Sequence, residues 1–114
     1  MPAARDDYLL RLITQAAAAL RRLREKLGGG TADEVVREAG AAIGALLGPQ
    51  RDLLERLDAA SARSIVGNPD TVRAWSELLV LQADAELLRG QRESAERLRA
   101  RARALSPEVD PSPS

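Results

Sequence analysis

Apolar residues recur along this chain with helical spacing. Leu9, Ile13, Ala16, Leu20, Leu23 and Leu27 follow one another at intervals of 4, 3, 4, 3 and 4 positions, which draws one continuous stripe down a single helix face. The stripe predicts a first helix from about Asp6 to Leu27. Asp6 and Asp7 suit its amide end, Arg21, Arg22, Arg24 and Lys26 suit its carboxyl end, and Gly28-Gly29-Gly30 stops it. Leu10, Leu12, Ala17 and Ala19 widen the stripe beyond a two-stranded seam.

Thr31-Ala32-Asp33-Glu34 has the form of a capping box, in which the Thr hydroxyl and the Glu carboxylate satisfy each other's backbone amides. It predicts a second helix to about Leu47, ended by Gly48 and Pro49, with Val35, Val36, Ala39, Ala42, Ile43, Leu46 and Leu47 on its apolar side. Gly40 and Gly44 are one turn apart inside it. Each interior glycine costs about 0.8–1.0 kcal/mol relative to Ala, so the pair predicts close approach of another helix backbone. A short helix opens at Pro49 and carries Leu53, Leu54 and Leu57. Asp58 to Ser61 breaks it, and a further short helix runs through Ile65 and Val66.

Gly67-Asn68-Pro69 combines a stop, a cap and a first helical residue. The fifth helix, about Pro69 to Arg89, is apolar over more than half its circumference, with Trp75, Leu78, Leu79, Val80, Leu81, Ala83, Ala85, Leu87 and Leu88. Such a helix belongs in the middle of a bundle. Gly90 turns the chain into a last helix, Arg92 to Leu105, with the narrow stripe Ala95, Leu98, Ala102 and Leu105. The pattern therefore predicts an all-α chain: a small bundle of five or six helices in one domain, residues 1–105, followed by a disordered Pro/Ser tail, 106–114.

Composition sharpens this picture mainly by subtraction. Ala, Leu, Arg, Glu and Lys make up about 57% of the 114 residues, a usage typical of long helices. Charge is balanced at 17 basic and 17 acidic residues, so no global field draws the chain to nucleic acid or a membrane. The opening lacks the apolar core of a secretory signal, and no apolar run reaches the roughly 18 residues of a spanning helix. The expected location is cytoplasmic. Cys and His are absent, which removes disulfides, thiolate chemistry, the commonest general base and the commonest metal ligand. No phosphate-binding or nucleophile-elbow motif is present. Asp84 and Glu86, on the predicted central helix, stand about 200° apart and cannot converge on one substrate. No enzyme activity, cofactor or metal is expected.

The segment Leu79–Pro107 resembles a tetratricopeptide-like helical hairpin. Ala83, Ala95 and Ala102 occupy its small-residue positions, Gly90 its turn, Leu105 its last apolar position and Pro107 its terminating place. Gln82, Glu86 or Leu87, and Arg99 depart from its usual apolar and aromatic residues. The run Asp7-Tyr8-Leu9-Leu10-Arg11-Leu12-Ile13-Thr14-Gln15 resembles the opening of an uncharacterised bacterial family of small all-helical proteins that end in such a hairpin. The resemblance implies a bundle with a hairpin at 69–105; it implies no activity.

Two surfaces remain as candidates. The first is a protein interface, with a homodimer as one form of it, through Leu9, Ile13, Ala16, Leu20 and Leu23; the same residues equally suit a core. The second is an anion patch on the last helix. Arg89, Arg92, Arg97, Arg99, Arg101 and Arg103 outnumber Glu93 and Glu96 by four, and Arg97/Arg101 and Arg99/Arg103 are repulsive pairs. The absence of aromatic residues nearby and a pI near 6.3 argue against nucleic acid as the partner. The expected role is a non-catalytic protein-interaction or scaffold module with an unknown protein partner; anion binding by the last helix is the alternative, and a carboxylate-dependent enzyme the remoter one.

Overall fold

The computed structural model describes residues 3–29 and 31–107, with side chains from residue 7 onward. Six α-helices account for most of them: α1 (Ala3–Gly28), α2 (Ala32–Leu47), α3 (Arg51–Arg56), α4 (Ala59–Val66), α5 (Pro69–Leu88) and α6 (Arg92–Leu105), with a 3₁₀ turn at Gly48–Gln50 between α2 and α3. No strand occurs among the described residues. The all-α reading and its helix order hold. The predicted start at Asp6 is late, because α1 already begins at Ala3. The capping role of the Asp6 side chain and most of the Pro/Ser tail lie outside the described residues.

Local chemistry explains most boundaries. Asn68 Oδ1 accepts from the amides of Asp70 and Thr71 at 2.8 and 3.2 Å, and Pro69 starts α5 without an amide to satisfy. Asp58 caps α4 through the Ser61 amide at 3.1 Å and also accepts from the Ser61 hydroxyl at 2.7 Å. Those two bonds hold its carboxyl below the ordinary carboxylate value. Gly67 ends α4 at φ 76° and Gly90 turns the chain between α5 and α6 at φ 80°, a region that side chains with a Cβ rarely enter.

The capping box at Thr31 does not form. Thr31 makes no side-chain bond to an α2 amide. Its hydroxyl donates backward to the Lys26 carbonyl at 3.0 Å, and Glu34 accepts from the Lys26 amine at 3.3 Å. The connection between α1 and α2 is so short that the last turn of α1 offers both residues a nearer partner than the backbone of α2.

α5 is the central helix, as its apolar circumference predicts. Ten of its residues are buried, and it packs on α1, α2, α4 and α6. Trp75 and Leu78 lie in the core with Leu23, Val35, Ile43, Leu54 and Leu105, each at most 1% exposed. Only the last turn departs from the prediction, since Leu87 and Leu88 are exposed. α6 lies against α5 with Ala95, Ala102 and Leu105 buried, so the C-terminal pair is a hairpin whose contact is made through small residues.

Among the described residues, α1 packs on α2 and α5. It has 26 residues against 16 in α2. Leu12 and Leu46 line one shared groove, and Ile13 and Asp70 another. Among the described side chains of α1, none before Leu12 packs against the core, and this first stretch of the helix is its arm.

Candidate docking arm and groove on the first two helices

The predicted interface stripe divides along the length of α1. Ala16, Leu20 and Leu23 are buried at 4%, 3% and 0% exposure inside the chain's own core. Leu9 and Ile13 are half-buried and stand outside the residues packed on that core. A seam through all five residues would have to open the bundle. On the arm Tyr8 is 56% and Leu10 62% exposed, as Leu53, Ile65, Leu87 and Leu88 are elsewhere on the chain. Two positions apart, Tyr8 and Leu10 stand about 200° apart around the helix, so the exposed apolar surface is spread around the arm rather than gathered on one face.

Immediately below the arm, α1 and α2 enclose a groove of about 430 Å³. Ala16, Ala19 and Leu46 form its buried floor; Leu12, Gln15 and Ala18 on one side, and Ala41, Ala42 and Ala45 on the other, form its walls. The Ala methyls keep the walls low, so a helix could settle close to both backbones. Arg22 and Glu38 close the far end.

That end is an ion network tying α1 to α2. Glu38 accepts from the Lys26 amine at 2.6 Å, with Arg22 Nη2 at 3.8 Å from its other oxygen. The hydrogen bond to Lys26 holds the Glu38 carboxyl below its ordinary value and raises the Lys26 amine above its own. Glu38 is the acidic residue among those lining the groove, and it is already partnered.

The Arg-rich last helix does not present one cationic face. At 100° per residue, Arg92, Arg99 and Arg103 share one side of α6, and Arg97 and Arg101 the opposite side. Arg101 turns inward: its guanidinium stands 5.5 Å from the centroid of the Trp75 ring and donates to the Leu54 carbonyl at 2.8 Å. Arg99 is ion-paired with Asp84. Arg97 donates to the Ser94 hydroxyl at 3.5 Å, and Arg92 and Arg103 are exposed. Arg89 bridges Asp33 and Glu86, each at 2.7 Å. Asp84 and Glu86 thus hold cations from α6 and from the end of α5.

The glycine pair on α2 also has a different occupant from the one expected. No helix backbone crosses there. Arg51 lies over Gly44 and donates to the Gly40 carbonyl at 2.8 Å, and a Cβ on Gly44 would stand 2.9 Å from that guanidinium. Gln82 approaches Gly40 from α5 and donates to the Val36 carbonyl at 3.2 Å. The polar Gln82, out of place in a tetratricopeptide-like pattern, is thereby accounted for.

Among the described residues, no group of three or more His, Cys, Asp or Glu side chains could hold a metal ion, and no helix is long and apolar enough to cross a membrane. Comparison with protein-family models, curated proteins and solved structures finds no match for this chain.

Proposed function

We propose that this chain is a non-catalytic protein-interaction module whose docking element is the arm of α1. The observation that carries the reading is the exposure of Tyr8 and Leu10 on the first turns of α1, ahead of the residues that join the core. Large apolar side chains exposed close together along a chain mark contact surfaces more often than isolated exposed ones do. An amphipathic helix is also a common recognition element. The remainder of the bundle acts as the scaffold that holds the arm out. The α5–α6 hairpin keeps its tetratricopeptide-like reading, supported by the burial of Ala83, Ala95 and Ala102 at 0%, 2% and 0% exposure.

Capture with the immobilised chain tests this. Wild-type protein should retain a protein from its source lysate, a second copy or another chain, that the Tyr8→Asp/Leu10→Asp variant fails to retain. Both positions are exposed, so the variant should keep its helical circular dichroism. Identical retention by the two would remove the arm as a docking element.

A further inference from the structure

We infer that α3 and the turn before it, residues 48–57, form a strap, fastened by Arg51 and Arg101, that opens from the bundle as one unit while the other helices stay folded. The inference is independent of the arm of α1.

A helix resists opening through its buried side chains, its caps and the neighbours it touches. α3 is poor in all of these. Leu54 is the one buried residue among its six, whereas α5 buries ten and α2 five. No side chain caps its start at Gln50, and the Leu57 amide closes its end on the Leu54 carbonyl at a long 3.4 Å. Among the described residues α3 packs on α2, on α4 and on the turn before it, and not on the central helix. α4 also buries a single residue, Ala62, but Asp58 caps it and both α5 and α6 pack on it.

Both ends of the strap leave room to turn. Gly48, at φ 69°, has nothing within 4 Å of where a side chain would begin. Leu57 leaves α3 in extended backbone, at φ −84° and ψ 156°. Between these ends the fastenings are few. Leu54 enters the core. Arg51, on the strap, donates to the Gly40 carbonyl of α2 at 2.8 Å. Arg101, on α6, donates to the Leu54 carbonyl at 2.8 Å while its guanidinium stands 5.5 Å from the centroid of the Trp75 ring. Neither arginine bond belongs to the backbone ladder of a helix, so both can break with every other helix intact. Opening takes the Leu54 backbone away from Arg101 and uncovers the core on that side of Trp75.

The chain has no cysteine, so a single thiol at a buried position reports when that position opens. Leu54 and Leu78 are 1% and 0% exposed. Under native conditions Leu54→Cys should react with a thiol reagent about a hundredfold faster than Leu78→Cys in α5, as a local opening outpaces a global one. Urea below the unfolding transition should hardly alter the first rate and should raise the second steeply. Opening the strap exposes little surface, and unfolding the whole chain exposes much. Adding Arg51→Met or Arg101→Met to Leu54→Cys should speed its reaction about tenfold, the loss of one charged hydrogen bond. Hydrogen exchange of the unaltered chain makes the same comparison with no substitution in the core: the amides of Glu55 and Arg56 should open far more often than those of Leu78 and Leu79. Equal opening at the two places, with equal dependence on urea, would overturn the strap. A Leu54→Cys rate unmoved by either arginine substitution would overturn its fastening.

Discussion

With no side chain at Gly44, the Arg51 guanidinium can lie across α2 and reach the Gly40 carbonyl. The two glycines are not equivalent. A methyl at Gly40 would meet the end of the Gln82 side chain at 3.4 Å, an ordinary contact, whereas one at Gly44 would stand 2.9 Å from Arg51 Nη1. Replacing an interior helix glycine by Ala gains about 0.8–1.0 kcal/mol. A hydrogen bond to a charged group contributes about 1.5–3 kcal/mol, and partial exposure of Arg51 places this one at the low end. Gly40→Ala should therefore stabilise the chain by up to about 1 kcal/mol, while Gly44→Ala displaces Arg51 and yields no gain. Urea midpoints at unchanged m-value separate the two. Equal stabilisation by both would show that Arg51 contributes nothing at its present place.

Among the elements, the joint between α1 and α2 responds to pH through Glu38 and Lys26. The Glu38 carboxyl is held down by the Lys26 hydrogen bond. Its contribution is therefore present above the ordinary carboxylate value and lost as pH falls through the lowered one. The Lys26 amine is raised, so its contribution is present below the ordinary amine value and lost as pH rises through the raised one. Stability should fall at both extremes and stay level between them. Glu38→Gln should flatten the acid limb of a midpoint-against-pH curve and leave the level region lower. An unchanged acid limb would mean that other carboxylates govern it.

The same joint shows which features the sequence disclosed. Stops at Gly48 and Gly67 and the Asn68-Pro69 start were readable because each acts on its own few residues. Thr31 misled because its partner was chosen by the length of the connection, which put the Lys26 carbonyl within reach. The spacing of Gly40 and Gly44 disclosed that space was needed but not that a guanidinium would fill it. Arg101, read as half of a repulsive pair with Arg97, goes to Trp75 and the Leu54 carbonyl because α3 and α5 bring both to it. The stripe on α1 suits a core as well as an interface, and the core takes Ala16, Leu20 and Leu23.

Taken as one body, the chain hangs four helices on α5, and α1 is held along its later turns by the core. The exposed side chains of its first turns are no part of that core, so Tyr8→Asp/Leu10→Asp should move the stability of the chain by no more than about 0.5 kcal/mol, as exposed substitutions ordinarily do. Urea midpoints at unchanged m-value check this. A larger loss would show that the arm packs on the chain itself and is not held ready for a partner.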